Sequence, residues 1–312
     1  MTFPVTIPLK RLSLLLSLLL CLPASGAASQ LRPAAIDAID AVAAVAAPRA
    51  LPLAFPPDLG EIVYRQNGES SVQIFIIVNS HRSSGTGGNG PGTVQAQVET
   101  FRIGEWLIGQ EQIALLLPEG FFGREATAPP VPGVPVGLNG EELAAELTDT
   151  SAFVNAELLL HRNYGIGLQQ IEDLALYRQT RDRLRTGLTG TARLEPGFAA
   201  GLDYLQKRRL AAILQNIPEA IEGEYRLGRI VRPKAMLTIG MAHLPDLIDY
   251  LETGRIQLPV PATEDQGFES LNAELELVRQ AMGVTIIVPR ALCDSRTPLQ
   301  TARVEPEVNP VR

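Results

Sequence analysis

Short apolar runs of strand length alternate along the chain with stretches in which apolar residues recur every three or four positions. Residues 72–78, 113–117, 235–239 and 284–288 have the length and composition of buried strands. Runs that are apolar without alternation are typical of a parallel sheet covered on both faces. The pattern therefore predicts an α/β fold, in which a central, mostly parallel sheet carries flanking helices.

Further elements are predicted around these runs. The turn signal Asn67-Gly68 separates residues 61–65 from the first run, which predicts a β-hairpin. Apolar residues recur at helical spacing over residues 93–108. From Glu141 to about Arg226 the pattern is helical throughout. This block predicts a helical insertion with segments near 141–148, 151–163, 168–186 and 198–217.

The N-terminus has the three parts of a secretory signal peptide. Lys10 and Arg11 precede an apolar run at 12–22, and small residues follow at 23–28. The apolar run is too short to span a bilayer comfortably. We therefore expect residues 1–28 to be removed. The protein is then expected to be periplasmic or extracellular, with no stable membrane insertion after cleavage.

The rest of the chain divides by composition into a linker, a domain and a tail. Residues 29–57 are rich in alanine and proline and are expected to form a linker. Residues 291–312 are polar with scattered proline and are expected to be disordered. Residues 58–290 lie between them and are expected to form one α/β domain, with the helical insertion at about 141–226.

The net charge and the number of cysteines argue against several functions and kinds of site. The chain of 312 residues has a formal net charge of −7, and the loss of Lys10 and Arg11 with the signal moves this charge to −9. An acidic exported protein is a poor candidate for binding nucleic acid. Cys21 also leaves with the signal, so Cys293 is the one remaining cysteine. This excludes an internal disulfide and a cysteine-based zinc site.

His243 is the clearest chemical signal, because it lies between an apolar strand and a helix. Gly240 permits a sharp turn or a close backbone approach. Pro245 and Asp246 suit the first turn of the helix that follows. Ligands in open α/β sheets bind beyond the carboxyl ends of the strands, where the helix dipole disfavours an imidazolium. His243 is thus either a neutral, ligand-ready imidazole or a structural histidine at a strand–helix junction.

Two other predicted strands also lead to polar side chains. The first run continues into His81 and Arg82, followed by a glycine-rich stretch that lacks the Gly-Lys-Ser/Thr of a phosphate-binding loop. The second run leads to Glu119, whose alternative role is that of a solvated turn residue. His161 lies instead at a predicted helix end, where a cation complements the dipole, and it is expected to be structural.

His81, Glu119 and His243 are expected to meet, because parallel strands bring their carboxyl ends to one edge of a sheet. Two imidazoles and a carboxylate suit an unidentified divalent metal with open coordination positions. Arg82 and Gly240 are then candidates for contacting a cofactor. The same three residues also suit metal-free acid–base chemistry, with one histidine as base and the carboxylate orienting it.

The order of these motifs resembles the TraB/GumN/Tiki family, within the wider superfamily of erythromycin-esterase-like and ChaN-like proteins. Gly240-Met241-Ala242-His243 resembles the C-terminal G-x-x-H motif of that family, and residues 115–120 resemble its glutamate strand. Residues 209–217 resemble its arginine helix, which points to Arg209, with Arg208 as the alternative register. At the N-terminal motif, Val78 stands where the family has glycine.

The resemblance implies a hydrolase acting on a small molecule or a peptide. Tiki-type relatives are metal-dependent peptidases, whereas esterase-type relatives use histidine and glutamate without a required metal. In the metal-dependent version, His81 and His243 hold the ion, while Glu119 ligates it or activates water. Arg209 would orient Glu119 or stabilise an oxyanion.

The resemblance also leaves two other functions open. ChaN-like relatives are associated with haem or iron uptake, and an acidic exported protein suits a periplasmic binding role equally well. A non-catalytic member of the fold is the third alternative, since the first glycine of the N-terminal motif is missing. Fold-level analogy does not choose among these functions.

Overall fold

A computed structural model describes residues 54–80, 90–125, 138–149, 154–189, 197–256, 258 and 282–293. The strands of these residues form one sheet of seven members in the order β1-β7-β2-β6-β3-β5-β4. In chain order, the strands are Gly60–Gln66 (β1), Gln73–Asn79 (β2), Leu115–Pro118 (β3), Arg124–Glu125 (β4), Gly167–Gln169 (β5), Lys234–Gly240 (β6) and Gly283–Pro289 (β7).

The middle of the sheet is parallel, which confirms the predicted α/β fold. Strand β2 pairs in parallel with β6 and β7, and β3 pairs in parallel with β6 and β5. The two outer strands, β1 and β4, run antiparallel to their neighbours. All four predicted strands share this sheet. In the register, Asn79 is opposite Gly240 and Pro118 is opposite Thr238, so the carboxyl ends of β2, β3 and β6 lie together.

The predicted hairpin between residues 61–65 and 72–78 is wrong, because β7 lies between β1 and β2. Asn67 does adopt the positive φ of the expected turn, at 49°. The turn chemistry fixes only the local reversal of the chain, and it leaves room for a later strand to insert between the two arms. Gly283 makes this insertion possible, since a Cβ there would lie 2.6 Å from the carbonyl oxygen of Asn67.

Except for the last one, the helices lie close to their predicted positions. Their bounds are Pro91–Glu111 (α1), Gly140–Thr148 (α2), Ala156–Tyr164 (α3), Leu174–Thr189 (α4), Phe198–Arg226 (α5), Leu244–Thr253 (α6) and Arg290–Cys293 (α7). The block at about 141–226 is not helical throughout, however, because β5 interrupts it. Gly165 ends α3 in the left-handed region, and a strand as short as β5 is too brief to register as an apolar run.

Each face of the sheet has its own hydrophobic core, as the alternation of side chains along a strand requires. Ile74, Ile76 and Val78 of β2 belong to a cluster that includes residues of α5 and α6. Phe75 and Ile77 point to the other face, in a cluster with residues of α1, α2 and α3. The sheet is therefore buried on both sides, in keeping with its apolar strands.

The two ends of the sequence fall mostly outside the described ranges. The predicted signal peptide and residues 29–53 of the predicted linker lie there, as do residues 294–312 of the predicted tail. The prediction of disorder is wrong for the first residues of that tail, which belong to α7. Leu292 of this helix is fully buried. Within the described ranges, no helix has the length and apolar character needed to cross a membrane.

Candidate functional site

Glu119 directly follows the last residue of β3 and lies at the centre of the candidate site. Its backbone N–H donates to the carbonyl oxygen of Thr238 on β6 at 2.9 Å, which extends the pairing of the two strands by one residue. Gly120 then turns the chain with a φ of 77°, a conformation that favours glycine. The side chain of Glu119 is only 5% exposed, so the predicted alternative of a solvated turn residue does not hold.

The carboxylate of Glu119 contacts groups from β6, from α5 and from the turn before α6. Its Oε2 accepts a hydrogen bond from the backbone N–H of Gly240 at 2.6 Å. Its Oε1 accepts one from Nη2 of Arg209 at 3.2 Å. Nε2 of His243 lies 3.3 Å from the same oxygen, within ion-pair distance but without the angle of a hydrogen bond. Four of the predicted site residues thus meet here.

Arg209 reaches Glu119 from α5 and is bound more tightly to a second carboxylate, that of Glu172. Nε and Nη2 of Arg209 donate to the two oxygens of Glu172 at 2.8 and 2.7 Å, the bidentate geometry of a strong ion pair. The backbone N–H of Gly120 also donates to Glu172, at 2.8 Å. The Tyr177 ring lies below the guanidinium, with its centroid 5.3 Å from Cζ of Arg209.

Burial and charge act in opposite directions on Arg209. Burial opposes its charge, but the carboxylates of Glu172 and Glu119 outweigh that effect and raise the pKa of Arg209 above its ordinary value. Burial, aided by the Glu172 carboxylate, raises the pKa of Tyr177 to about 12. Arg209 is therefore a permanent cation, and Tyr177 stays neutral at physiological pH. Two buried carboxylates share this one guanidinium.

His243 is the last residue of a 3₁₀ turn, Met241–His243, and stands directly before α6. It is buried, with 3% of its surface exposed. Asp246 lies in the first turn of α6, and burial raises its pKa although Nζ of Lys207 lies 3.6 Å from its Oδ1. His243 thus has an acidic neighbour on its helix side as well as Glu119 on its strand side.

Of the two candidate arginines, Arg208 and Arg209, the second is the one that contacts Glu119. Nη1 of Arg208 donates to the hydroxyl of Tyr204 at 3.3 Å, whereas Arg209 contacts Glu119. His161 lies away from this group at the end of α3, with Nδ1 2.6 Å from the carbonyl oxygen of Ile166. The other two predicted site residues, His81 and Arg82, lie outside the described residues.

The donor set around Glu119 fits an ion pair better than a metal. Both of its oxygens accept N–H groups, and the guanidinium of Arg209 occupies the position of a cation. A divalent ion would have to compete with that guanidinium for the same carboxylate. Within the described ranges, no three His, Cys, Asp or Glu side chains are grouped closely enough to hold a metal ion.

Glu172 and Tyr177 were not predicted from the sequence, although both belong to the group around Arg209. Glu172 lies three residues beyond the end of β5, so it is the acidic residue near one more strand end. The signal that could have found it is the short apolar sequence Ile166–Leu168 after Gly165, followed three residues later by Ile171-Glu172.

Comparisons of the chain with known protein families, with curated proteins and with solved structures found no match.

Proposed function

We propose that the protein is an exported hydrolase of small-molecule or peptide substrates, in which His243 moves the protons and Glu119 orients it. The observation that carries the proposal is the buried contact of 3.3 Å between Nε2 of His243 and Oε1 of Glu119. The predicted signal peptide supports export, and the order of motifs, which resembles the TraB/GumN/Tiki family, supports hydrolysis.

Glu119 has the surroundings of an ionised carboxylate. The Arg209 guanidinium and the Gly240 N–H both stabilise its charged form. An ionised carboxylate beside Nε2 favours the histidine tautomer that carries its proton there. Nδ1 of His243 is then the nitrogen that is free to accept a proton from a substrate or a water molecule.

In the proposed reaction, Nδ1 of His243 takes a proton from water as the oxygen attacks the carbonyl carbon of an ester or amide. The imidazolium that forms is stabilised by Glu119, in the manner of the carboxylate of a catalytic triad. His243 then returns the proton to the leaving oxygen or nitrogen, and the product acid and alcohol or amine separate. Arg209 acts as a positioning residue, because it fixes Glu119 and is itself fixed by Glu172.

The proposed chemistry needs no ligand bond from Glu119 to a metal, because His243 takes the proton from water and Glu119 only orients His243. The metal-dependent alternative, with His81, His243 and Glu119 as ligands, and the haem- or iron-binding alternative predict different results in the same experiment. Metal content of the purified exported protein and the effect of a chelator on turnover separate these alternatives from metal-free hydrolysis.

The test measures hydrolysis of a panel of esters and peptides by the exported protein and by His243→Gln. Loss of the general base is expected to lower kcat/KM by about 10²- to 10⁴-fold. His161→Gln is the matched control, because it changes a histidine at another helix end and should leave turnover intact. Equal turnover by wild type and His243→Gln would refute the proposal, and turnover that disappears with a chelator would favour the metal-dependent alternative.

A further inference from the structure

Glu157, a second buried acidic residue, lines the same small recess as Glu119. The recess lies beyond the carboxyl ends of β3 and β5. Its walls are residues 118–121, Leu168, and Asn155, Glu157 and Leu158 at the start of α3. The space is about what one water-sized group requires. Two acidic residues from different elements therefore line one small recess.

Among the described residues, neutral groups rather than a cation hold Glu157 in place. It is 4% exposed. Nδ2 of Asn79 donates to its Oε1 at 3.0 Å. Asn79 is oriented in turn by Gln97, whose Nε2 donates to Oδ1 of Asn79 at 2.9 Å and whose Oε1 accepts from the backbone of Ala156 at 2.8 Å. This network fixes the carboxylate without neutralising its charge.

The two oxygens of Glu157 differ in their surroundings. Oε2 is buried and accepts no hydrogen bond from any residue that the structure describes. A buried acceptor without a donor is costly, and a buried charge without a counter-charge is more so. Glu157 lies in the first turn of α3, at the positive end of the helix dipole. The oxygen is thus suited to a donor that arrives with a ligand.

The network also connects Glu157 to the candidate site. Asn79, which binds Glu157, is paired across the sheet with Gly240, and the N–H of Gly240 binds Glu119. The two carboxylates are therefore attached to opposite members of one residue pair at the ends of β2 and β6. A molecule bound at Glu157 would therefore lie beside Glu119, the other acidic residue of the recess.

The balance of buried charge indicates the sign of that molecule. Three carboxylates, those of Glu119, Glu157 and Glu172, are buried at this edge of the sheet. Among the described residues, Arg209 is the buried guanidinium that faces them, and it binds Glu119 and Glu172. An excess of negative charge among the described buried side chains favours a cationic ligand. The small recess excludes a bulky quaternary ammonium, whereas a primary ammonium is of the right size and carries three donors.

We infer that the recess binds a primary ammonium group of the substrate, which donates to Oε2 of Glu157. Leu158 and Leu168 would contact the carbon atoms next to the nitrogen. The substrates are then amines such as peptides with a free amino terminus or amino-acid esters. The assignment of this substrate class rests on the proposed hydrolase function, whereas the binding of an ammonium ion does not.

The binding test uses n-butylammonium chloride as the probe and follows the backbone amide signals of Gly120, Leu158 and Leu168 by nuclear magnetic resonance. We expect these signals to shift and saturate with n-butylammonium, and to respond neither to 1-butanol nor to sodium or magnesium chloride at the same ionic strength. Equal saturable shifts with the inorganic salts would overturn the assignment to an ammonium, and so would the absence of saturation.

Glu157→Gln keeps the shape of the side chain and removes its charge. We expect it to weaken n-butylammonium binding by about tenfold or more, the usual worth of a charge-assisted hydrogen bond. Glu141→Gln is the matched control. Glu141 is the second residue of α2, as Glu157 is of α3, but it is exposed and outside the recess. Equal affinity in wild type and Glu157→Gln would overturn the inference.

A kinetic comparison separates this inference from the proposed function. The experiment measures the hydrolysis of an amino-acid ester with a free amine, and of its N-acetylated form, by wild type and by Glu157→Gln. We expect the substitution to raise KM tenfold or more for the ester with the free amine and to leave KM for the acetylated ester unchanged. Ammonium binding without turnover of either ester would refute the hydrolase proposal and leave the binding site standing. If wild type and Glu157→Gln hydrolysed both esters equally well, the ammonium site would be refuted and the hydrolase proposal would be retained.

Discussion

Glu172 binds Arg209 through two hydrogen bonds of 2.8 and 2.7 Å, although the two residues are 37 positions apart and both side chains are buried. The pair joins the end of β5 to the middle of α5, and thereby ties the sheet to the helix that packs on it. Because Arg209 also contacts Glu119, the same pair sets the position of the carboxylate that faces His243.

Removal of the charge of Glu172 is expected to destabilise the fold severely. Glu172→Gln leaves the buried guanidinium of Arg209 with Glu119 as its one carboxylate partner in place of two. Breaking a buried ion pair costs about 3–5 kcal/mol. The free energy of unfolding, measured by denaturant titration, should fall by that amount. Glu222→Gln, an exposed change on α5, should alter it by less than about 0.5 kcal/mol. A similar small effect for Glu172→Gln would contradict the buried pair.

Arg209→Lys is expected to keep the charge but lose the bidentate geometry, because an ammonium cannot present two parallel donors as a guanidinium does. The loss of one hydrogen bond to a charged group should lower the free energy of unfolding by about 1.5–3 kcal/mol. Arg208→Lys is the neighbouring control and should have little effect. If Arg208→Lys were the more damaging change, the assignment of the buried arginine would be wrong.

The raised pKa of Tyr177 predicts a loss of stability at high pH. Its folded pKa is about 12, above the ordinary value of 10.0, so the folded protein favours the neutral phenol. The resulting stabilisation is complete below pH 10 and is lost as the pH rises toward 12. Tyr177→Phe should flatten the fall of stability in this interval, as measured by denaturant titration at a series of pH values. Tyr225→Phe, at a half-exposed tyrosine, should leave the slope unchanged, and an unchanged slope in Tyr177→Phe would refute the prediction.

Gly283→Ala tests the insertion of β7 beside the turn at Asn67. The added Cβ would lie 2.6 Å from a backbone oxygen, which cannot move aside as a flexible side chain could. We expect a loss of about 1–3 kcal/mol in the free energy of unfolding. Gly109→Ala in α1 is the control, since nothing lies within 4 Å of its Cβ, and it should stabilise the helix by about 0.5–1 kcal/mol. A neutral Gly283→Ala would argue against the described strand order.

The sequence predicted those parts of the site that depend on strong local patterns. His243 and Glu119 could be found because each follows an apolar strand, and parallel strands deliver such positions to one edge. Arg209 came from the resemblance of its helix to a family motif, since nothing in its spacing marks a buried ion pair. Its contact with Glu119 joins positions 90 apart, and local patterns carry no information about such a distance.

The errors have a common physical origin, which is that tertiary pairing overrides local preference. The turn at Asn67 and Gly68 reverses the chain as predicted, yet the two arms are separated by a strand from the end of the sequence. Strand β5 pairs through three residues only, so neighbouring strands rather than intrinsic propensity hold it in the sheet. Glu172 was missed because its strand was missed.

The place of β7 between β1 and β2 determines when the sheet can close. During synthesis, residues 60–66 emerge more than 200 positions before residues 283–289, which are their sole partners in the described sheet. Until then β1 has no strand to pair with, and one side of β2 is an open edge that could join a wrong strand. Contacts so distant along the chain form late in folding. A chain that stops before residue 283 should therefore remain incompletely folded and prone to aggregate, even though Glu119, Glu172, Arg209 and His243 have all been made.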